Sequence, residues 1–312
     1  MEATEIQYSF LNESHLDALS AVYNAIFGKT TSTDHFRTKY GLENPERIQY
    51  SSVALLNNKI IGFFGFILQE FESYDSTNRL VVLQGCDFFV TKSFRKGKVS
   101  KNIFDHSIEL AKQHRIPYIY GFQSNQSYNT CRTWGFLDGN HFQRFHVPVV
   151  SKYTAGIIRK LGLENLKTSQ LERLVRKNPS LKPLQQLNRV KGRFTNNLAF
   201  DFFEQKRYFN YYQLELNGCV LYLKYDRILS VGLCHFTEKA EPEKLVQSLK
   251  RLARKCLIHE IVFHLQGDSK EVTLLQTYLP AYPSFKISYF TIGPSSVEFS
   301  AIQLNYMDMD VF

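Results

Sequence analysis

No apolar stretch in this 312-residue chain approaches the roughly 20 residues that a membrane-spanning helix requires, which excludes a helical membrane protein. Cysteine is scarce, and the five present (Cys86, Cys131, Cys219, Cys234, Cys256) are odd in number, widely scattered and without a CxxC pair. That pattern excludes a disulfide framework and a zinc finger and fits reduced thiols. Equally missing are a GxSxG elbow, a GxxxxGK[ST] phosphate loop and a GxGxxG turn after a strand, so serine hydrolases, P-loop enzymes and dinucleotide-dependent oxidoreductases are disfavoured. His259 and His264 stand five apart in a strand-like segment, which puts them on opposite faces, and His141 and His146 have the same fault. His106 and His114 are eight apart on a helix with no third ligand near, and no metal site is expected. Cys131 and His141 lack a third residue to orient a base, so a thiol nucleophile is set aside. The opening MEATEIQYSF has neither a basic nor an apolar leader region, and the expected location is cytoplasmic.

What is present is 44% hydrophobic and 21% charged residues, enough for two domains of about 150 residues, each with its own core. The net charge of +9 is concentrated: residues 151–195 carry eleven basic side chains against Glu164 and Glu172, and the remainder sums to zero. The positives alternate with Ile157, Ile158, Leu161, Leu171, Leu174 and Val175 at near-helical spacing. The segment reads as a basic helical linker, with contact to an anionic surface as the functional alternative. No aromatic base-stacking platform accompanies it, so DNA is not an expected partner.

Periodicity orders the first half as strand Ile6–Phe10, a helix from Asn12 to Gly28, a short helix His35–Tyr40 and strands at Ser52–Leu56, Ile60–Phe71 and Leu80–Val90. Helix Val99–His114, strand Pro117–Phe122, helix Ser127–Trp134 and strand Phe136–Val147 follow. Asn57-Asn58-Lys59 is a hairpin signal. The second half repeats the order: strands Tyr211–Leu216, Val220–Tyr225 and Ile228–Phe236, helix Glu243–Cys256, strand Glu260–Leu265, helix Val272–Leu279, and strands Phe285–Ile292 and Phe299–Leu304. A tandem duplication of a mixed α/β domain is expected, with boundaries at 1–150, 151–195 and 196–312. Aromatics around Arg207–Tyr212 are core candidates with an alternative as cleft lining.

The stretch from Phe88 to Ser100 joins a strand to a helix N-terminus through a tight basic turn. Unpaired backbone N–H groups and the positive helix end suit a phosphate or pyrophosphate there, and Arg95, Lys96 and Lys98 add positive charge. Asp87, alone in the apolar run Val81–Val90, needs a partner or a task and is the general-base candidate. Glu70 and Glu72, at the end of the third strand, are candidates for orienting a cationic amine.

The element order together with this turn resembles the GNAT superfamily of acyl-CoA-dependent N-acyltransferases over residues 5–147. Arg95, Lys98 and Ser100 fall on the family's Arg/Gln-x-x-Gly-x-Gly/Ala turn, and Gly135-Phe136 on the Gly-aromatic pair that closes its last helix. The resemblance implies a GNAT acyl-CoA N-acyltransferase fold, two tandem GNAT-like domains, and acetyl-CoA or another acyl-CoA as co-substrate without a metal. It places coenzyme A on Phe89, Val90, Arg95, Lys96, Gly97, Lys98, Val99, Ser100, Ser124 and Ser127. Lys98 stands where the family has a glycine, with Gly97 one position earlier. Cys131 stands where many members carry a proton-donating tyrosine, with Tyr128 as a neighbouring substitute. The second half has Thr237-Glu238-Lys239-Ala240-Glu241-Pro242 in place of the basic turn, which would repel a pyrophosphate, so it resembles a degenerate repeat. The implied activity is N-acetyl transfer to a primary amine of a small polar acceptor such as an amino sugar. The rivals are an aminoacyl-tRNA-dependent transferase of the same fold and a non-catalytic module docking on an anionic membrane or partner through residues 151–195.

Overall fold

The computed structural model describes residues 5–74, 78–150, 160, 169–174, 190–196, 211–226 and 228–309. Most of the expected linker, and the aromatic run from Arg207 to Asn210, lie outside the described residues; within the linker, 169–174 are helical. No described helix is long and apolar enough to cross a membrane.

The chain begins with β1 (Gln7–Phe10) and a single 3-10 turn capped by Asn12, whose Oδ1 accepts the Ser14 N–H at 3.0 Å. The turn runs into α1 (Leu16–Phe27), which buries Leu16, Leu19 and Tyr23 at helical spacing and stops at Gly28, where φ is +62°. After α2 (Thr33–Lys39) come β2 (Ser52–Leu56), β3 (Lys59–Ser73) and β4 (Arg79–Val90), an antiparallel meander. Asn57 and Asn58 both take positive φ (50° and 60°), the twist that a two-residue hairpin requires. A second short 3-10 turn, Lys92–Phe94, leads to α3 (Val99–Gln113), then β5 (Tyr118–Gln123), α4 (Asn125–Thr133) and β6 (Leu137–Pro148).

The later elements are β7 (Phe194–Asn196), β8 (Tyr211–Leu216), β9 (Cys219–Asp226) and β10 (Ile228–Phe236), followed by α5 (Pro242–Lys255), β11 (Glu260–Gln266), α6 (Lys270–Gln276), β12 (Ala281–Thr291) and β13 (Ile302–Gln303). The order anticipated from periodicity is reproduced in both halves. Two details differ. The first half of the strand expected at Phe299–Leu304 is a 3-10 turn, Phe299–Ala301, because Phe299 turns inward to stack on Tyr289 at 4.2 Å and meet Tyr118 at 5.7 Å. The short strand β7 spans the end of the segment read as helical linker.

Two compact units share the chain. Among the described residues, the first comprises those within 5–139 and 287–302, the second those within 140–196, 211–286 and 303–309. In unit 1 the strand order is β1-β2-β3-β4-β5-β12, with β5 parallel to β4. One face carries Ala54, Phe64, Leu83 and Val90 against Ile103, Phe104, Ile108 and Ala111 of α3. The other carries Val53, Phe63 and Phe89 against Leu16, Leu19 and Phe36 of α1 and α2. Strand alternation thus splits one sheet into two apolar faces, each covered by helices. In unit 2 the order is β6-β11-β10-β9-β8, with β11 parallel to β10, and its core joins Leu221, Leu229, Val231 and Phe263 to Leu245, Leu249 and Ala253 of α5.

Candidate functional site

β4 and β5 are paired over only two positions, Leu83 with Ile119 and Gln84 with Tyr120. A β-bulge opposite Gly85–Phe88, between Phe64 and Phe66 of β3, adds local twist, and beyond Gln84 the described strands show no further β4–β5 register. The two strands diverge, and a cavity of about 60 Å³ opens between them. Its walls include Gly85, Cys86 and Phe88 of β4, Gly121 and Gln123 of β5, and Ser127 and Cys131 of α4. Gln123 is 8% exposed, and its Oε1 has no hydrogen-bond partner. A buried carbonyl left unpaired carries a desolvation cost that a donor entering the cleft would relieve.

At the end of β4 the chain turns through Thr91 to Lys98. Arg95 folds back so that its Nε donates to the Val90 carbonyl at 3.0 Å, tying the turn to the strand. Lys96, Gly97 and Lys98 are exposed. Lys98 is the N-cap of α3 but supplies no side-chain cap, and the first turn holds no acidic residue, so among the described residues no side chain caps the leading N–H groups of the 15-residue helix. Among the predicted turn residues, Val99 is buried at the start of α3 and Ser100 is half-buried beside it. A methyl group built on Gly97 would meet nothing nearer than the Phe94 carbonyl oxygen at 3.6 Å, which leaves the backbone here open to a bulky anion.

The second helix of the cleft starts at Ser124, whose Oγ accepts the Ser127 N–H at 3.3 Å. Ser127 and Cys131, one helical turn apart, face the cavity. The Cys131 thiol is 5% exposed, and burial pushes it up to about 11, partly offset by a hydrogen bond with Gln123. It therefore keeps its proton at neutral pH. Tyr128 is not brought to the cavity: its hydroxyl donates to Asp138 at 2.7 Å, and that bond holds the phenol above its ordinary range.

Asp87, read from the sequence as a base, has another occupation. It lies on the α1–α2 face of β4, where its carboxylate accepts from Lys39 Nζ at 2.8 Å, Tyr40 Oη at 2.7 Å and Tyr23 Oη at 3.2 Å. The ion pair is sequestered, with the Lys39 and Asp87 side chains 3% and 9% exposed. Burial pushes the carboxyl up, but Lys39 and the Tyr40 hydroxyl outweigh it and hold the group below the usual carboxylate range. A carboxylate so saturated with donors is a poor proton acceptor. Gly65 makes the arrangement possible, since a Cβ there would sit 2.1 Å from the Tyr40 hydroxyl oxygen.

Glu70 and Glu72 are likewise not at the cleft. Both bridge to Arg79, at 3.2 and 3.7 Å, at the far end of the β3–β4 hairpin. Glu70 is opposite Val81, four residues before Gly85, or roughly 14 Å along the strand. Phe89 and Val90 belong to the diverging part of β4, with the Phe89 ring on the α1–α2 face and Val90 in the α3 core. The residue that sequence reading missed is Gln123; an amide closing an otherwise apolar buried strand beside Ser124 was the available signal.

No protein-family model matches the sequence, and no curated protein does. Among solved structures, the chain is similar to a GCN5-related N-acetyltransferase from Kribbella flavida, with 13% identity over 92% of this chain and 72% of that one and a TM-score of 0.58. It is also similar to a conserved protein from Enterococcus faecalis V583 described as a probable N-acyltransferase (6% identity, 93% and 73% coverage, TM-score 0.62). A tandem GNAT protein from the clavulanic acid biosynthesis pathway aligns over 94% of this chain and all of that one, with 10% identity and a TM-score of 0.50. At these identities the likeness is one of fold: the chain has the GNAT acetyltransferase fold in a tandem arrangement.

Proposed function

We propose that unit 1 is an N-acyltransferase that moves an acyl group, acetyl in the first instance, from acyl-CoA to the primary amine of a small polar acceptor such as an amino sugar. The observation that carries this reading is the divergence of β4 from β5, which opens a cleft beside an uncapped helix N-terminus with a basic turn. The residues present fit coenzyme A. The first turn of α3 offers backbone donors, Lys96 and Lys98 supply counter-charge to a pyrophosphate, and the orphaned Gln123 Oε1 would accept from an amide N–H of the pantetheine arm. The co-substrate supplies an activated thioester; the chain's contribution is positioning and hydrogen bonding.

The protonated Cys131 thiol faces the cleft, where it would donate a hydrogen bond to a departing thiolate. Full proton transfer is not its task, because its pKa of about 11 lies above that of an ordinary thiol. With Asp87 neutralised by Lys39 and Glu70 and Glu72 remote, no side chain of unit 1 is assigned as the base; the amine enters as its free-base fraction.

Calorimetric titration of acetyl-CoA into wild type and a Lys96→Glu/Lys98→Glu variant tests the reading. Saturable binding that the double charge reversal weakens by at least tenfold is expected. Equal binding by both proteins, or none by either, would overturn it.

A further inference from the structure

Helix α5 turns Leu245, Val246, Leu249 and Ala253 into the core of unit 2. A neighbouring stripe of the same helix, Ser248, Arg251 and Lys255, follows i, i+3, i+7 spacing and borders a concavity of about 220 Å³. The floor of that concavity is apolar. Leu214 and Leu216, alternate residues on one face of the edge strand β8, meet Leu252 of α5 and Leu174 from helical segment 169–174. Leu214 is buried, but Leu174, Leu216 and Leu252 remain partly exposed around the hollow. Apolar surface gathered at a concavity is surface that an apolar group would cover.

The rim is cationic. Arg251 and Lys255 are exposed, and among the described residues neither has an ion-pair partner. The acidic residue of α5, Glu243, lies two turns upstream of Arg251 and accepts from Gln247. The negative C-terminal end of a helix attracts cations through the dipole alone, but that accounts for Lys250 and Arg254 equally well and needs no hollow. A leucine-floored hollow with a paired cationic rim matches a ligand with an alkyl tail and an anionic head.

We propose that this hollow of unit 2 binds the tail of a free single-chain alkyl carboxylate, with the carboxylate on Arg251 and Lys255. At about 30 Å³ for a water-sized group, 220 Å³ holds roughly seven methylene-sized groups, which selects a chain of about eight carbons. The binding is independent of the acyl-transfer reading, because it uses none of the residues placed at the unit 1 cleft.

Calorimetry of the full chain with hexanoate, heptanoate, octanoate, decanoate and dodecanoate, each below its micellar range, tests this. The dissociation constant is expected to fall about fourfold per methylene up to about eight carbons and then level off. Octyltrimethylammonium, of the same length and opposite charge, is expected not to bind. Arg251→Glu/Lys255→Glu, at exposed positions, should weaken octanoate by at least tenfold, and Ser248→Trp should fill the mouth and abolish binding. If the tryptophan variant fails to fold, the charge reversal and the chain-length series decide by themselves. No saturable heat at any length, affinity that keeps rising through dodecanoate, equal binding of the cationic amphiphile, or capture by phosphatidylglycerol vesicles without octanoate binding would each overturn the proposal.

Discussion

Replacing Lys39 with Met isolates the buried pair beneath α1 and α2. Met preserves most of the stem but removes the ammonium 2.8 Å from Asp87, leaving a 9%-exposed carboxylate with the Tyr40 and Tyr23 hydroxyls as donors and His35 nearby. Stranding one partner of a buried ion pair costs about 3–5 kcal/mol, against about 1 kcal/mol for a surface pair. For a unit of roughly 150 residues that corresponds to a fall in Tm of about 6–20 °C. The pH dependence changes sign with the mutation. In the wild type the depressed Asp87 pKa contributes stability above the unfolded value near 3.9, and that contribution is lost as pH falls through the lower folded pKa. In Lys39→Met, burial acts without the cation and raises the folded pKa, so this group's contribution improves as pH drops through that raised value. The deficit against wild type therefore narrows in acid. Thermal and urea unfolding followed by circular dichroism at pH 7 and pH 4.5 reads both effects. Lys39→Met/Asp87→Leu, which removes both charges, should recover most of the loss. A single-mutant cost below about 1 kcal/mol, or a double mutant less stable than the single, would refute the assignment of this pair as a mutually dependent buried unit.

Phe104→Ala should cost about 3–5 kcal/mol in urea unfolding, because the ring sits among Phe64, Trp134, Phe136 and Phe290 at 5.1 to 6.1 Å and is 1% exposed. Asn58→Val places a β-branched residue at φ of 60° and should cost about 1–2 kcal/mol by the same measurement. His264, pressed to about 3 by burial and stacked 4.1 Å from Tyr306, stays neutral in the fold while the unfolded chain takes a proton near pH 6.5. Its share of stability is therefore present above pH 6.5 and lost as pH falls toward 3, about 2 kcal/mol by pH 5, and His264→Phe should flatten that part of the pH–stability profile. At the cleft, Cys131→Ser keeps a donor and should retain more acetyl transfer than Cys131→Ala, with kcat rather than KM separating the two; equal kcat values would remove the thiol from the mechanism.

Sequence patterns were most informative where the cause of an element is local. The i, i+4, i+5 stripe of α3, the double-asparagine turn and the glycine that ends α1 each depend on neighbours within a few residues, and their elements emerged within a residue or two of expectation. The candidate site divides along the same line. The basic turn and the uncapped start of α3 are contiguous and therefore visible, whereas the apolar run around Asp87 shows that it needs a partner but not that the partner is Lys39, 48 residues away. Tyr128 shows the limit of helical phase alone: it is placed near Cys131 by spacing, yet Asp138 at the start of the next strand takes its hydroxyl.

The closing strands carry this limit furthest. Both β6 and β12 are extended, amphipathic and correctly spaced, and nothing in either segment states which β-strand it will accompany. Chain order favours β6 beside β5, because consecutive elements usually pair. In the structure β12 lies next to β5, with the Ile292 N–H donating to the Pro117 carbonyl at 2.8 Å, while β6 pairs with β11 from Phe142 to Pro148. A fragment ending at residue 150 would consequently lack the strand that covers the β5 edge, although it contains the whole first repeat. Unpaired edges associate, so such a fragment should self-associate or precipitate, and adding a peptide of residues 281–302 should restore a monodisperse species in sedimentation. A monomeric, cooperatively folding 1–150 fragment would show instead that β6 can serve unit 1 and that the choice between the two strands is nearly balanced in energy.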